Sequence, residues 1–254
     1  MEVLGIDIGA TGMKGAIVDI EKGELTTERF RLDTPKPATP EAMVEVVKAI
    51  IAHFNWSGPV GCGFPSSIHH SVVYTSSNLN TKWVGVNIDE LFEKETGLPF
   101  IVVNDADAAG IAEMNFGAGK GKKGLVLTIT VGTGLGSGAF FDGKLIPNLE
   151  LGQLHYKKYD RIEKYASNAT RKNHNMSFKK WGKRFNKVLN YVDLILCPDL
   201  FIIGGGGSKY FDEYKKYLKL KVPVIPAESR NEAGIIGAAL AAKSLKTNQE
   251  SAVN

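Results

Sequence analysis

The sequence has few cysteines, no long apolar run and no strong excess of charge. Its two cysteines, Cys62 and Cys197, lie far apart in apolar segments, so they can form neither a disulfide framework nor a zinc site, and we expect both to be inert core residues. No apolar stretch is long enough to span a membrane, and the N-terminus lacks signal-peptide regions, which predicts a cytoplasmic protein. The net charge of +4 fits an anionic substrate without requiring nucleic acid.

Both common glycine-rich nucleotide fingerprints are also missing near the N-terminus. Residues 5–15, GIDIGATGMKG, match neither G-x-G-x-x-G nor G-x-x-x-x-G-K-[ST]. They place Asp7 at the end of a predicted buried strand, followed by Gly9, Gly12 and Gly15. Glycine tolerates positive φ, which suits a loop whose backbone N–H groups bind an anion. Taken alone, however, the stretch is better explained as an ordinary hairpin turn.

A second stretch repeats this pattern near the middle of the chain. Residues 130–143, TVGTGLGSGAFFDG, align with the first stretch at a constant offset of 123 positions, which pairs Gly9 with Gly132 and Asp19 with Asp142. A repeat at about half the chain length predicts two topologically similar halves. Two glycine turns facing one cleft would bind a phosphate chain from both sides, so the repeat favours phosphate transfer.

Helix and strand patterns alternate along the rest of the chain, which indicates an α/β fold. One predicted helix begins after Thr39 as its N-cap. A predicted strand over residues 98–103 ends at Asn104 and Asp105, and ligands bind beyond such strand ends in open α/β sheets. Asp105 could accept a proton from an attacking hydroxyl there. A helix-capping role for Asp105 is favoured by roughly two to one on capping preferences alone.

A strongly basic segment lies between Lys157 and Lys187. It contains eleven Lys or Arg residues against two acidic ones, a local excess of nine, which is larger than the net charge of the whole chain. An extended polyanion gains from such a row through counterion release, whereas a compact nucleotide does not need it. In SFKKWGKRFNK the apolar side chains take one helix face and the cations the other, so a solvated amphipathic helix is an equal alternative.

Five ordered motifs carry a resemblance to a known family, and they are DIGATGMKG, ND, TVGTGLGSG, ELG and IIGGGGS. The set resembles the ROK family of sugar kinases and repressors, within the actin-like, ribonuclease-H-like superfamily. The longer segments TPKPATP, SSNLNTKWVG, DGKLIPNLELG, PDLFIIGGG and RNEAGIIGAAL are similar to the polyphosphate glucokinase branch. Together they extend from residue 3 to about residue 242.

The resemblance implies a duplicated two-domain α/β kinase fold with a cleft between the domains. The smaller N-terminal domain would comprise residues 1–104 and 236–254, and the larger C-terminal domain residues 105–235. It also implies Mg²⁺ as the cofactor and a homodimer. Zinc is not expected, because the cysteine cluster of many ROK kinases is missing, as it is in the polyphosphate glucokinases.

The resemblance further implies a role for each matching residue. Asp105 would be the general base for the sugar 6-hydroxyl, and Asp7 would orient Mg²⁺ through water. The residues implied in sugar binding are Asn104, Glu150, Gly63, Pro65, Ser66 and Asn78. Those implied in holding the transferring phosphate are Gly9, Thr11, Lys14, Gly132, Thr133 and Gly134. The loop that faces adenosine in nucleotide-dependent members matches Gly205 and Gly206. Independently of the resemblance, the charge pattern of the basic helix makes Lys179, Lys180, Lys183 and Arg184 its candidate polyphosphate contacts.

Two positions depart from the family pattern. Gln153 replaces the sugar-contacting histidine of E-x-G-H; it can donate and accept hydrogen bonds but cannot carry charge. His155 stands where polyphosphate glucokinases carry a glutamate.

The predicted function is transfer of a phosphoryl group from polyphosphate to the 6-hydroxyl of glucose, with ATP left open as a further donor and with no nucleic acid or membrane partner. An ATP-dependent kinase of another hexose and an inactive sugar-binding protein are the alternatives. A ROK repressor is not expected, because it needs a DNA-binding helix-turn-helix before the first hairpin, where four residues precede Gly5.

Overall fold

The computed structural model describes residues 1–75, 79–229, 232–243 and 245. The strands are β1 Glu2–Ile8, β2 Met13–Asp19, β3 Glu24–Leu25, β4 Phe30–Leu32, β5 Val60–Phe64, β6 Ile68–His69, β7 Val72–Val73, β8 Phe100–Asn104, β9 Leu125–Val131, β10 Leu135–Phe141, β11 Lys144–Ile146, β12 Leu200–Gly204 and β13 Val224–Pro226. The α-helices are α1 Pro40–His53, α2 Ile88–Thr96, α3 Asp105–Phe116, α4 Glu163–Ala166, α5 Asn168–Asn173, α6 Phe178–Leu196, α7 Phe211–Tyr214 and α8 Ala233–Ala241.

The chain folds into two compact units. Unit 1 comprises Met1–Ala112 and the chain from Glu232 onward, and unit 2 comprises Glu113–Asn231. The first crossing therefore lies inside α3 instead of before Asp105. The reason is that the first turns of α3 pack within unit 1, where a Cβ on Gly237 of α8 would lie 1.6 Å from the carbonyl oxygen of Ala108. With these boundaries unit 1 is the longer of the two.

A mixed sheet forms the centre of unit 1, in the order β3-β2-β1-β5-β8, with β4 also paired to β2. β1 and β2 are antiparallel, whereas β1, β5 and β8 are parallel. Apolar side chains of the sheet pack against α1, which begins after Thr39 as predicted, because the Thr39 hydroxyl accepts a hydrogen bond from the N–H of Ala42. The carboxyl ends of β1, β5 and β8 consequently lie along one edge.

The sheet of unit 2 repeats this order as β11-β10-β9-β12-β13. β9 and β10 are antiparallel, whereas β9, β12 and β13 are parallel. The offset of 123 residues maps β1 onto β9, but β2 and β10 differ by one residue because the second turn is shorter: Ile8 pairs with Met13, and Val131 with Leu135. The predicted duplication is confirmed.

Helix α8 lies directly on the sheet of unit 1. A Cβ on Gly5 in β1 would lie 2.2 Å from the carbonyl oxygen of Ile235, and one on Gly61 in β5 would lie 1.8 Å from that of Ala238. Only glycine allows this approach.

Helix α6 covers the sheet of unit 2 with a buried apolar face. Trp181 and Phe185 are almost completely buried, and the Trp181 indole N–H donates to the carbonyl oxygen of Ala166 at 2.9 Å. Near the end of the helix Leu194 and Ile195 are exposed. No helix in the described ranges is long and apolar enough to cross a membrane.

The two cysteines have different surroundings. Cys62 is buried in β5, and burial, followed by the nearby Asp7 and Asp89 carboxylates, raises the pKa of its thiol well above the usual value, so it stays protonated. Its predicted core position is confirmed. The same prediction for Cys197 is wrong: this residue is exposed, because it ends α6 in a left-handed conformation (φ 47°, ψ 55°) at the surface of unit 2.

Candidate active site

Asn104 and Asp105 form the junction between β8 and α3. The Asn104 side-chain oxygen accepts hydrogen bonds from the N–H groups of Ala106 (2.8 Å) and Asp107 (3.2 Å), so Asn104 caps α3. Asp105 is the first residue of the helix. The capping role that the sequence left open for Asp105 is thus performed by its neighbour. Asp105 itself stands at the carboxyl end of a parallel strand, where ligands bind in such sheets.

Asn104 also fixes the loop that follows β5. Its Nδ2 donates to the carbonyl oxygen of Ser66 at 3.0 Å, and the Ser66 hydroxyl donates to that of Thr75. Asn104 and Ser66 are both buried. The structure brings the sugar-contacting candidates of this segment to the same sheet edge, namely Gly63, Pro65 and Ser66. Asn78 lies outside the described residues.

Asp7 faces Lys14 across the first hairpin. The two residues pair directly in the register of β1 and β2, and Lys14 Nζ lies 3.3 Å from Asp7 Oδ2. Gly234 in the first turn of α8 leaves space for this carboxylate, since a Cβ there would lie 3.0 Å from Asp7 Cγ. Asp7 is also opposite Gly63 in the register of β1 and β5, which places it at the same edge as Asp105.

The surroundings of Asp7 fit a magnesium ion bound mainly by substrate. Within the described ranges no three His, Cys, Asp or Glu side chains gather into a metal-binding group. Mg²⁺ keeps several waters and commonly uses one or two carboxylates together with substrate phosphates. A single, partly exposed carboxylate beside Lys14 meets that requirement.

The first glycine turn is fastened by two residues that the sequence analysis missed. The Thr34 hydroxyl donates to the carbonyl oxygen of Gly9 at 2.6 Å, and Arg31 Nη2 donates to that of Thr11 at 2.9 Å. The carbonyl oxygen of Gly12 accepts from the N–H of Gly9 at 3.0 Å. Three carbonyl groups of the turn are therefore bonded within unit 1. Because the N–H of Gly9 is the donor to one of them, an anion would have to bind N–H groups of the turn other than that of Gly9.

The second glycine turn is held by a carboxylate. Glu163 Oε2 accepts a weak hydrogen bond from the N–H of Leu135 at 3.4 Å, and a Cβ on Gly134 would lie 2.2 Å from the same oxygen. Arg161 pairs with the other oxygen of Glu163 at 2.9 Å and so offsets its charge. Sequence reasoning counted Glu163 only as an acidic residue of the basic segment, because nothing local links it to the turn. Gly132 and Thr133 complete this turn.

The ELGQ segment packs against β10 and leaves its last side chain exposed. Leu151–Gln153 form a short 3₁₀ turn in which Leu151 and Gly152 are buried. A Cβ on Gly152 would lie 2.0 Å from the carbonyl oxygen of Leu135, so this position requires glycine. Gln153 and His155 are exposed and Glu150 is half-buried, which leaves all three accessible to a sugar.

Gly205 and Gly206 begin a 3₁₀ turn at the end of β12. Gly205 has a φ of +69° and packs on the backbone of Val131, the residue before the second glycine turn. A cavity of about 490 Å³ lies beside it. The lining residues are Gly205, Ser208, Lys209, Phe211, Asp212, Pro226 and Ala227. An apolar wall with a few polar groups and a lysine suits a nucleotide base and its phosphates.

The basic helix has two kinds of cation. Lys179, Lys180 and Lys183 are exposed. Arg184 is half-buried, its guanidinium lies 4.9 Å from the centre of the Tyr165 ring, and its Nη1 donates to the Tyr165 carbonyl oxygen at 3.3 Å. Arg184 therefore helps to pack α6 against α4, unlike the three lysines.

The chain is similar to several known proteins. The ROK family model matches residues 3–149. The chain is 42% identical over 238 residues to the polyphosphate glucokinase of Mycobacterium tuberculosis, covering 93% of this chain and 89% of that protein. A crystal structure of the inorganic polyphosphate/ATP-glucomannokinase from an Arthrobacter species matches with a TM-score of 0.91 and 45% identity, covering 96% of this chain and 99% of that one.

A ROK family glucokinase from Streptomyces griseus, in complex with glucose and AMPPNP, matches with a TM-score of 0.83 and 25% identity over 96% of this chain and all of that one. These likenesses confirm the actin-like, ribonuclease-H-like fold class that the motifs implied. Since the family match spans more than half of the residues and the similar proteins cover nearly all of them, the chain belongs to the ROK family.

Proposed function

We propose that this chain is a glucokinase that transfers a phosphoryl group from inorganic polyphosphate to the 6-hydroxyl of glucose, with ATP as a second donor. The observation that carries the proposal is the likeness, over almost the whole chain, to the Mycobacterium and Arthrobacter proteins. The junction at Asn104 and Asp105 supports it, because a carboxylate stands at the ligand-binding edge of the sheet while its neighbour caps the helix.

In the proposed reaction O6 of glucose attacks the terminal phosphorus of the donor. A bond forms between phosphorus and O6 while the bond from that phosphorus to the bridging oxygen breaks, and the O6 proton passes to the Asp105 carboxylate. The leaving group is polyphosphate shortened by one phosphate, or ADP. Backbone N–H groups of the two glycine turns are assigned to the charged oxygens of the transferred group.

Mg²⁺ supplies charge neutralisation at the donor phosphates when it is bound. Asp7 is the residue proposed to hold it, through water. Lys14 is proposed to bind a donor phosphate as a point charge. Its ammonium group already lies beside the carboxylate of Asp7, which is the residue proposed to hold the ion.

Glu150 and Gln153 are proposed to bind hydroxyl groups of the sugar, together with the segment Gly63, Pro65, Ser66 and Asn78. Asn104 is proposed to bind a sugar hydroxyl as well, as the resemblance implies, and it also has a positioning role. Its amide holds the Ser66 carbonyl group and the start of α3 at the same time, so it fixes the sugar-binding loop relative to Asp105.

ATP is proposed as the second donor because of the cavity beside Gly205. That cavity lies next to the second glycine turn, through the contact of Gly205 with Val131. If ATP alone supports transfer, the chain is an ATP-dependent hexose kinase instead.

A homodimer is proposed from the family resemblance. The exposed side chains of Leu194 (79%) and Ile195 (53%) at the end of α6 offer apolar surface for a second copy. Sedimentation velocity of the purified protein measures the mass in solution, and a monomer at all concentrations would contradict this proposal.

The test of the function is a coupled assay for glucose 6-phosphate with either polyphosphate or ATP, using wild type and Asp105→Asn. Wild type is expected to turn over with polyphosphate. The variant is expected to lose about 10²-fold or more in kcat while its glucose affinity changes only a few-fold, because the base acts on the proton in flight. No transfer by wild type from polyphosphate, or a near-normal kcat of the variant, would overturn the proposal.

A further inference from the structure

A lysine-rich segment that follows α7 packs along α6. Nothing in the sequence connects the two. The Asn186 side-chain oxygen accepts a hydrogen bond from the N–H of Lys219, and Asn190 Nδ2 donates to the Lys219 carbonyl oxygen at 3.4 Å. A Cβ on Gly182 would lie 3.1 to 3.3 Å from atoms of Tyr214 and Tyr217. The segment 214–219 therefore follows the line of Gly182, Asn186 and Asn190 along the helix.

This line is the immediate neighbour of the exposed lysines of α6. At 100° per residue, Gly182, Asn186 and Asn190 advance by only about 40° per step. Around the axis, Lys179 and Lys183 lie within about 60° of Asn186 and Lys187 within about 60° of Asn190, whereas Lys180 lies about 120° from Asn186 and is not part of this face. The packed segment thus adds its own cations beside the helix. We call the combined set the lysine surface; its exposed members are Lys179, Lys183, Lys187, Lys216, Lys219 and Lys221.

Few carboxylates lie on the elements that form the lysine surface, and one of them already forms a salt bridge with a lysine. Asp212 pairs with Lys215 at 2.5 Å, which is why Lys215 is left out of the set. Glu213 in α7 and Asp193 near the end of α6 are the other acidic groups on the elements that form it. By contrast, Arg161 and Lys164 of the earlier basic segment are paired with Glu163 and Asp160.

We propose that the lysine surface binds the part of a long polyphosphate chain that lies beyond the reacting end. This inference rests on the proposed function and adds to it a second contact region, on α6 and residues 214–221. Lysine ammonium groups are point charges that suit a uniform chain of phosphates. Single-stranded nucleic acid needs aromatic platforms for its bases. Trp181, Phe185 and Tyr214 beneath this surface are almost completely buried, and Tyr217 is half-buried with the Lys216 ammonium group 5.5 Å from its ring centre.

The test compares two triple variants with the same loss of charge in unit 2. Lys216→Gln, Lys219→Gln and Lys221→Gln remove half of the surface; the hydrogen bonds of Lys219 to α6 use its backbone and are kept. The matched control changes the exposed lysines of the loop before β9 to glutamine, and these are Lys120, Lys122 and Lys123. Thermal unfolding checks that both variants are folded.

For the first variant the KM of long-chain polyphosphate is expected to rise on the order of 10- to 100-fold at 0.1 M salt, and the slope of log affinity against log salt to flatten by roughly 0.7 per lost contact. The KM values of ATP and tripolyphosphate should stay within about twofold, as should every value for the control variant. An equal rise in the polyphosphate KM of the control variant, or in the ATP KM of the first variant, would overturn the proposal.

Direct binding separates this inference from the proposed function. Long-chain polyphosphate and a single-stranded DNA of equal charge are titrated, without glucose, into wild type and both variants. Loss of polyphosphate binding in the first variant alone supports the lysine surface even if no glucose is phosphorylated. Polyphosphate binding that is equal in all three proteins, or DNA binding as tight as polyphosphate binding, would overturn it.

Discussion

The amide of Asn104 joins a loop to a helix, and its removal should affect both. Asn104→Ala removes the cap of α3 and leaves the buried Ser66 carbonyl group without this donor, so we expect the free energy of unfolding to fall by about 2–4 kcal/mol. We expect kcat to fall as well, because Asp105 follows directly. Urea unfolding and steady-state kinetics measure the two effects.

Asn87→Ala is the matched control, since Asn87 caps α2 through one hydrogen bond to the N–H of Glu90 at 3.3 Å. It should lower the free energy of unfolding by about 1 kcal/mol and leave kcat unchanged. If Asn104→Ala also lowered the free energy of unfolding by only about 1 kcal/mol and left kcat unchanged, the proposed positioning role of Asn104 would be wrong.

Gln153 is one of the two positions at which the chain departs from the family pattern, and it is exposed in the structure. If it binds a sugar hydroxyl as a neutral partner, Gln153→His should retain or improve glucose phosphorylation. Gln153→Ala should cost about 1–3 kcal/mol in kcat/KM for glucose, because a hydroxyl group is left unpaired. Indifference of both kinetic constants to both changes would show that Gln153 does not contact the sugar.

The residues that sequence reasoning found and those it missed differ in how far their partners lie along the chain. Asp7, Asn104 and Asp105 stand at strand ends, which a local pattern can reveal. Arg31 and Thr34 act on a turn 20 and 25 residues earlier. Their role depends on β4 pairing with β2, a contact that carries no local signal.

At the scale of elements, the first glycine turn is held in place by hydrogen bonds from Thr34 and Arg31. Thr34→Val deletes the hydrogen bond to Gly9 at nearly constant volume, and Arg31→Ala deletes the one to Thr11. Loss of either hydrogen bond should weaken binding of the phosphoryl donor by roughly 1–1.5 kcal/mol. The KM of the donor should therefore rise by about tenfold, while the KM of glucose stays unchanged. Arg29→Ala, at an exposed arginine of the same segment, is the control and should alter neither value. An unchanged donor KM in the first two variants would contradict this role.

The duplicated hairpins show what an element-level prediction can and cannot contain. Apolar alternation, glycine spacing and the offset of 123 residues predicted the two hairpins and the α/β class. They could not give the one-residue difference in turn length, because that depends on the register of β9 with β10. The exposed position of Cys197 was missed for a similar reason: an apolar neighbourhood in sequence does not tell where a helix ends at the surface.

At the scale of the whole molecule, one carboxylate holds the first and the last segments of unit 2 together. Glu113, the first residue of unit 2, is buried and accepts hydrogen bonds from the N–H groups of Ala118 (3.0 Å), Glu228 (3.1 Å) and Ser229 (2.6 Å). The last two stand shortly before the chain returns to unit 1 at Glu232.

Glu113→Gln should therefore lower the free energy of unfolding by about 2–3 kcal/mol, because an amide offers one acceptor oxygen where the carboxylate uses two. Urea unfolding measures it. Glu90→Gln, at an exposed position of α2, should change the free energy of unfolding by less than about 0.5 kcal/mol. A similar small change in Glu113→Gln would show that these hydrogen bonds add little to stability.

The glycine contacts around α8 also bear on how this chain can diverge in evolution. A Cβ on Gly5, Gly61 or Gly237 would lie 2.2 Å or less from a backbone carbonyl oxygen, which cannot rotate away as a side chain can. Replacing any of them by alanine needs a displacement of α8 from its neighbours, which one codon change does not provide. We therefore expect these three glycines to be retained while surface lysines and loop residues are substituted, so that distant descendants of this chain would still share the three glycines.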